Sequence, residues 1–182
     1  MTYKESLAAA MTELARDPLV RFIGYGVKVG AIAGKGFGGV NPAQLVETPV
    51  AENLMVGMAI GMSLAGLRPV VYIERMDFIL NALDAIVNHL DKIGQMSHGE
   101  FKPAIILRVV VGNKTKPLYT GATHVQDFTG ALREMVTFPV ITLDKPVGSE
   151  PIEIEIGKHY RFAHERLAQG ESTMLVEYKD LI

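Results

Sequence analysis

The sequence predicts an α/β protein of three layers, a mostly parallel sheet with helices on both faces. Three observations predict it. Helical and extended patterns alternate from one end of the chain to the other, which is the order of βαβ units. Residues 104–111, Ala-Ile-Ile-Leu-Arg-Val-Val-Val, are apolar except for one arginine, as in a strand covered on both sides. No linker, internal repeat or low-complexity stretch interrupts the 182 residues. One domain over 1–182 with a sizeable core is therefore expected.

Taken in order, residues 3–16 have a helical pattern and residues 19–23 an extended one. Residues 24–39 are rich in glycine and read largely as loop. A short strand is expected at 44–47 and a helix at 53–67. Within that helix the run 54–67 is uncharged, but a membrane span needs roughly 20 residues, and Arg68-Pro69 closes this one. Gly57, Ala59, Gly61 and Ala65 leave it little bulk, so a neighbouring backbone can approach closely. A β-branched strand follows at 69–73. Asp77 is placed to cap the next helix, which runs to about residue 93 with Phe78, Leu80, Leu83, Ile86, Val87 and Leu90 at helical spacing. The strand at 104–111 leads into a loop between Gly112 and Gly121 that holds Lys114, Lys116 and Pro117. That loop leaves a strand's carboxyl end, where open α/β sheets place their ligands. A helix near 126–135, a strand at 138–143, a helix near 157–169 and a strand at 174–178 complete the chain.

Composition excludes several functions. A content of 48% hydrophobic and 21% charged residues is that of an ordinary soluble domain. A net charge of −2 gives no reason to expect nucleic acid or an anionic membrane as partner. With no cysteine, disulfides, thiolate metal sites and cysteine nucleophiles are ruled out. The polar N-terminal segment has no secretory pattern, so a cytoplasmic location is expected.

Two glycine-rich motifs fail on inspection. Lys35 in Gly34-Lys35-Gly36 lacks the hydroxyl residue that a Walker loop needs after its lysine. Gly24-Tyr25-Gly26 opens like a dinucleotide fingerprint but lacks the correctly spaced third glycine. Of the five histidines, none has metal-ligand spacing of the HExxH kind. His89 reads as surface or interface, His98 as part of a turn, and His159 and His164 as solvated on a polar helix. His124 differs, because it stands between a glycine-containing turn and a helix, where a ring can project into a cleft. Glu52 is the leading candidate for proton chemistry. A carboxylate at the mouth of an apolar helix is costly unless it is bound or protonated.

The stretch from residue 47 to about 143 resembles the pyrimidine-binding domain of thiamine-diphosphate enzymes, above all the β subunit of the decarboxylating first component of 2-oxoacid dehydrogenase complexes. The resemblance is carried by Thr48-Pro49-Val50-Ala51-Glu52, by Gly57-Met58-Ala59-Ile60-Gly61, and by Ala65-Gly66-Leu67-Arg68-Pro69-Val70. Asp77-Phe78, Asp84-Ala85-Ile86-Val87-Asn88-His89, Lys92, Met96-Ser97-His98-Gly99, Arg108, Gly112 and His124-Val125-Gln126 follow in the family's order. The closing Leu175-Val176-Glu177-Tyr178-Lys179-Asp180-Leu181-Ile182 is similar to the end of that domain.

The resemblance implies roles. Glu52 would hydrogen-bond a ring nitrogen of the cofactor's aminopyrimidine and so help remove the proton from its thiazolium carbon. Phe78 would lie against the pyrimidine, and His124 would face the reacting centre. The implied substrate is a small 2-oxo acid or ketose, cleaved next to its carbonyl. The family's Gly-Asp-Gly…Asn signature for magnesium and diphosphate is not in these residues, nor is its extra C-terminal domain. The resemblance thus implies thiamine diphosphate with Mg2+ held by a separate diphosphate-binding α-type subunit, in a heterodimer or heterotetramer. The 54–67 and 78–93 helices are plausible contact surfaces.

Two departures stand out. Tyr25 takes the place of an acidic residue, and Ile73-Glu74-Arg75-Met76 replaces an apolar and hydroxyl-bearing segment. Arg75, the candidate substrate contact, and Glu74 are accordingly expected to face the substrate or the subunit partner, with a surface ion pair as the alternative. A transketolase-like transferase subunit for a sugar or other polar metabolite, and a non-catalytic interaction subunit, are the competing functions.

Overall fold

The computed structural model describes residues 1–29, 35–116, 121–145 and 150–182. Six parallel strands form one sheet: β1 (Val20–Gly24), β2 (Leu45–Glu47), β3 (Arg68–Ile73), β4 (Ile106–Val111), β5 (Val140–Thr142) and β6 (Thr173–Tyr178). Their spatial order is β2-β1-β3-β4-β6-β5. The expected α/β architecture is therefore the observed one, and β4 is buried at every position.

Among the described residues five α-helices are delimited: α1 (Tyr3–Leu14), α2 (Glu52–Leu64), α3 (Ile93–Met96), α4 (Thr129–Met135) and α5 (Ile152–Ala168). A capping box starts α1: the Thr2 hydroxyl accepts from the Glu5 N–H, and the Glu5 carboxylate accepts from the Thr2 N–H at 2.8 Å. Alternation along the strands sends one set of side chains to each face. Val20, Phe22, Val70, Tyr72, Ile106 and Leu175 meet α1 and α5 on one side. Ile23, Val71, Ile73, Leu107, Val109 and Val176 meet α2 and α4 on the other.

Some expectations change. The single helix expected from Asp77 to about residue 93 is broken into a 3-10 helix (Met76–Ala82), a π-helix (Asp84–Leu90) and the short α3. Asp77 caps nothing, because its carboxylate is drawn away to Gln126. Gly57 and Gly61 lie exposed on α2, and a β-carbon at either would have no neighbour within 4 Å. Their close packing is thus not satisfied within the described residues. His98 occupies its expected turn with φ +52°, and His89 is exposed 3.3 Å from Asp84.

The helix near 157–169 begins five residues earlier than expected, at Ile152, and is not simply solvated. It packs on α1, so His164 lies 2.9 Å from the Asp17 carboxylate. The Nε2 of His159 is buried without a hydrogen bond, 4.0 Å from Glu155. Burial lowers the His159 pKa, opposed by Glu155. Residues 30–34 of the glycine-rich loop and Pro117 of the 112–121 loop lie outside the described residues.

At the centre of the sheet, on the α1/α5 face, Arg108 and Glu177 form a buried pair. The Arg108 Nε and Nη2 donate to the two Glu177 oxygens at 2.6 and 3.1 Å, and the Tyr160 hydroxyl also donates to Glu177. Burial works against the charge on Arg108, but Glu177 overcomes it and raises the guanidinium's pKa. The guanidinium stacks over Tyr72 at 4.7 Å and Phe37 at 5.2 Å.

Candidate active site

Glu52, Phe78 and His124 each follow the carboxyl end of a different strand: β2, β3 and β4. The chain steps from β1 out to β2 and then back across to β3. Such a reversal opens a crevice at the strand ends.

Two backbone clamps fix the approach to Glu52. Glu47, the last residue of β2, accepts hydrogen bonds from the N–H groups of Gly26 and of Lys28, the latter at 2.8 Å. The Thr48 N–H donates to the Gly24 carbonyl at 3.1 Å. Gly26 takes φ +68°, a backbone conformation that suits glycine. Tyr25 is half exposed on this loop. The carboxylate that serves the loop is Glu47, contributed by the neighbouring strand.

Glu52 is the first residue of α2, whose N-cap Ala51 offers no side-chain cap. The unpaired N–H groups and positive dipole end of a helix favour an acidic side chain there. Glu52 is only 5% exposed. Among the described residues its carboxylate makes no hydrogen bond or ion pair. The nearby Thr48 hydroxyl is fully buried and unpaired among the described residues.

Helix α2 packs against the 3-10 helix that carries Phe78. The Phe78 ring meets His124 edge to face, with centroids 5.3 Å apart and an interplanar angle of 87°. Both residues are partly buried. His124 Nδ1 lies 3.2 Å from the Thr123 hydroxyl. The His124 loop is tied to the 3-10 helix twice. Asp77 Oδ1 accepts from the Gln126 side-chain amide at 2.8 Å, and the Phe128 N–H donates to Met76 Sδ at 3.0 Å. Asp77 Oδ2 is buried with no partner. The positioning roles of Glu47, Met76, Asp77 and Gln126 were not read from the sequence. The paired order Asp77-Phe78 and His124-Val125-Gln126 was the available signal.

Arg75, the candidate substrate contact, is 9% exposed. Its Nη1 donates to the Glu74 carbonyl at 2.7 Å and lies 3.8 Å from the Glu74 carboxylate. Glu74 in turn holds Lys35 at 2.9 Å. In the loop after β4, the backbone N–H of Lys114 donates to Asp180 at 3.1 Å. Among the described residues no three His, Asp or Glu side chains are placed together to hold a metal ion.

This arrangement offers a shielded carboxyl group, an aromatic face and an imidazole at one edge of the sheet. Residues 1–111 match the family described as transketolase, pyrimidine binding domain. The chain belongs to that family.

Proteins of similar sequence include β subunits of the pyruvate dehydrogenase E1 component. The Rickettsia conorii subunit is 32% identical over 146 residues, covering 78% of this chain and 44% of that protein. The mitochondrial Saccharomyces cerevisiae subunit is 35% identical over 139 residues, covering 71% of this chain and 36% of that protein. The Chaetosphaeridium globosum subunit is 39% identical over 111 residues, 57% of this chain and 33% of that protein. The chain thus spans less than half the length of these relatives. In three dimensions it is similar to a split-gene transketolase described as an inactive β4 tetramer, with TM-score 0.70, 17% identity, and coverage of 97% of this chain and 51% of that one. Among the described residues no helix is long and apolar enough to cross a membrane.

Proposed function

We propose that this chain is the pyrimidine-binding, β-type subunit of a thiamine-diphosphate-dependent enzyme that cleaves a bond adjacent to a carbonyl, of the 2-oxoacid dehydrogenase type. The observation that carries the proposal is Glu52: an acidic residue 5% exposed, at the first position of α2, and unpaired among the described residues. A shielded acid without a partner is costly unless a ligand supplies one.

The residues fit the cofactor. Glu52 would hold a proton at a pyrimidine ring nitrogen, a task that needs a side chain able to give and recover it. Phe78 would support the ring face, and offset stacking there is worth roughly 0.5–1.5 kcal/mol beyond area burial. His124, steadied by Phe78, would donate a hydrogen bond to the substrate carboxylate. Bound there, thiamine diphosphate would supply the electron sink for cleavage next to the carbonyl. Mg2+ and the diphosphate would be held by an α-type partner, since the Gly-Asp-Gly…Asn signature is not in these 182 residues. Residues 1–182 would then act as one pyrimidine-binding unit in a heterodimer or heterotetramer.

The exposed stripe of Leu54, Gly57, Gly61 and Leu64 on α2 supports such a partner. A substrate role for Arg75 is weaker support than its Glu74 contacts, which suit a residue that shapes the strand end. A cytoplasmic location goes with this reading, as a chain without cysteine depends on no oxidising compartment.

The test uses the chain assembled with a subunit carrying Gly-Asp-Gly…Asn. Glu52→Gln should abolish hydrogen–deuterium exchange at the thiazolium carbon while the complex still assembles. Unchanged exchange in the variant sinks the proposal and favours a non-catalytic subunit. Reduction of a lipoyl group by a 2-oxo acid separates the dehydrogenase type from a transketolase-like transferase, which would instead pass the unit to an aldehyde or sugar.

A further inference from the structure

A second concavity lies at the same edge of the sheet, toward the α1/α5 face. Its volume is about 160 Å³, and its lining includes Lys4, Lys35, Tyr72, Arg108, Glu177 and Lys179. An apolar cavity of about 150 Å³ suffices for benzene, so this one has room for a small molecule.

Its charge is unbalanced. Four cationic side chains line it against one carboxylate side chain. That carboxylate, Glu177, already holds Arg108 through both oxygens and accepts from Tyr160. Lys35 is paired outside the cavity to Glu74, at the root of the segment that leads to Phe78. Lys179 is partly buried and forms no ion pair among the described residues. Burial lowers its pKa, and the Arg75 cation lowers it further against the pull of Glu74. The two carboxylates near it, Glu74 and Glu177, already serve Lys35 and Arg108, and a shielded ammonium group without an anion of its own is unfavourable.

The donors also indicate which anion. The planar fork of Arg108, the group best matched to a carboxylate, is taken by Glu177. What remains are ammonium groups, compact charges with three rotatable donors each, which bind phosphate as point charges. Tyr72 also lines the cavity and carries a hydroxyl, a neutral donor.

We propose that this cavity binds a small phosphate-bearing anion, held by Lys4, Lys35 and Lys179 over the fixed positive charge of Arg108. Such a site is separate from the Glu52 region and needs no partner subunit.

Isothermal titration of the full chain with inorganic phosphate, at constant ionic strength and neutral pH, tests it. Saturable one-to-one binding is expected, with Lys179→Gln weakening it about tenfold, the loss of one charge-assisted hydrogen bond. Lys4→Gln, at an exposed position that cannot endanger the fold, should weaken it several-fold. Lys158→Gln, which removes an exposed ammonium paired with Glu150 on α5, should leave it unchanged. The proposal is overturned if wild type shows no saturable binding, if Lys179→Gln and Lys4→Gln both bind as wild type does, or if acetate binds as tightly as phosphate. Because the readout is binding to the chain alone, its failure would leave the role proposed for Glu52 standing.

Discussion

The Phe78 ring and the His124 imidazole meet edge to face at 5.3 Å, although one follows β3 and the other β4. This contact adds to the Asp77–Gln126 and Met76–Phe128 hydrogen bonds that tie the His124 loop to the 3-10 helix. An edge-to-face pair contributes about 1 kcal/mol beyond its buried area, enough to bias where the imidazole points.

Replacing Phe78 by Leu keeps apolar bulk and removes the ring edge. The expected outcome is a small fall in stability of the chain, about 1 kcal/mol, and a several-fold loss of thiamine diphosphate affinity in the assembled enzyme. Denaturant midpoints and cofactor titration measure the two separately. Full cofactor affinity in the variant would remove Phe78 from the proposed site.

Gly112 controls the same loop from below. A β-carbon on it would lie 1.6 Å from the His124 carbonyl oxygen, far inside any contact distance. Gly112→Ala must therefore push the His124 backbone away or distort the end of β4. A loss of roughly 1–3 kcal/mol is expected from the overpacking, and turnover should fall much more than the affinity for cofactor. If Gly112→Ala turns over normally, the position of His124 does not matter for the reaction.

These relationships explain what the sequence discloses and what it hides. The strands 68–73 and 106–111 are legible because covered parallel strands require near-continuous apolar runs. The break of the expected 77–93 helix into 3-10 and π segments is not legible. Phe78, Leu83, Ile86 and Leu90 keep a helical spacing across it, and the break depends on how the segment docks on α2 and β4. Asp77 looks like a cap because capping is a local pattern, whereas its partner Gln126 is 49 residues away. The Arg108–Glu177 pair spans 69 residues and is equally invisible to a local pattern. Glu52 could be singled out from the mismatch between its charge and the apolar helix behind it. Phe78 and His124 needed the family resemblance, since each alone has an ordinary structural explanation.

The exposed face of α2 carries the next prediction. Leu54 and Leu64 are about half exposed, and between them Gly57 and Gly61 meet nothing within 4 Å of a β-carbon. Alanine at both positions should stabilise the isolated chain, by up to about 1 kcal/mol each from helix propensity. The same methyl groups should weaken association with the partner by keeping its backbone away. Thermal unfolding of the chain and sedimentation of the complex give the two halves of the result. Improved stability with undiminished association would show that this face is not the contact.

The acid limb of the stability curve depends on Asp17. Its carboxylate is held by the Arg68 guanidinium, by the Leu19 N–H at 2.9 Å and by His164 at 2.9 Å, tying the end of α1 to β3 and α5. Burial pushes its pKa up, but the hydrogen bonds from Arg68, Leu19 and His164 outweigh that and leave it below the ordinary aspartate value of 3.8. A group whose folded pKa is depressed binds fewer protons when folded than when unfolded. Its stabilisation is complete above the unfolded value, near pH 4, and disappears as pH falls through the folded value. Asp17→Asn should therefore cost about 1–3 kcal/mol at pH 7. The gap between wild type and variant should hold from pH 7 down to about 5 and then close as wild type takes up its proton. Urea midpoints for both proteins across this range measure it. A gap that stays constant well below the aspartate range would mean that Asp17 contributes by shape, with no stabilisation from its charge.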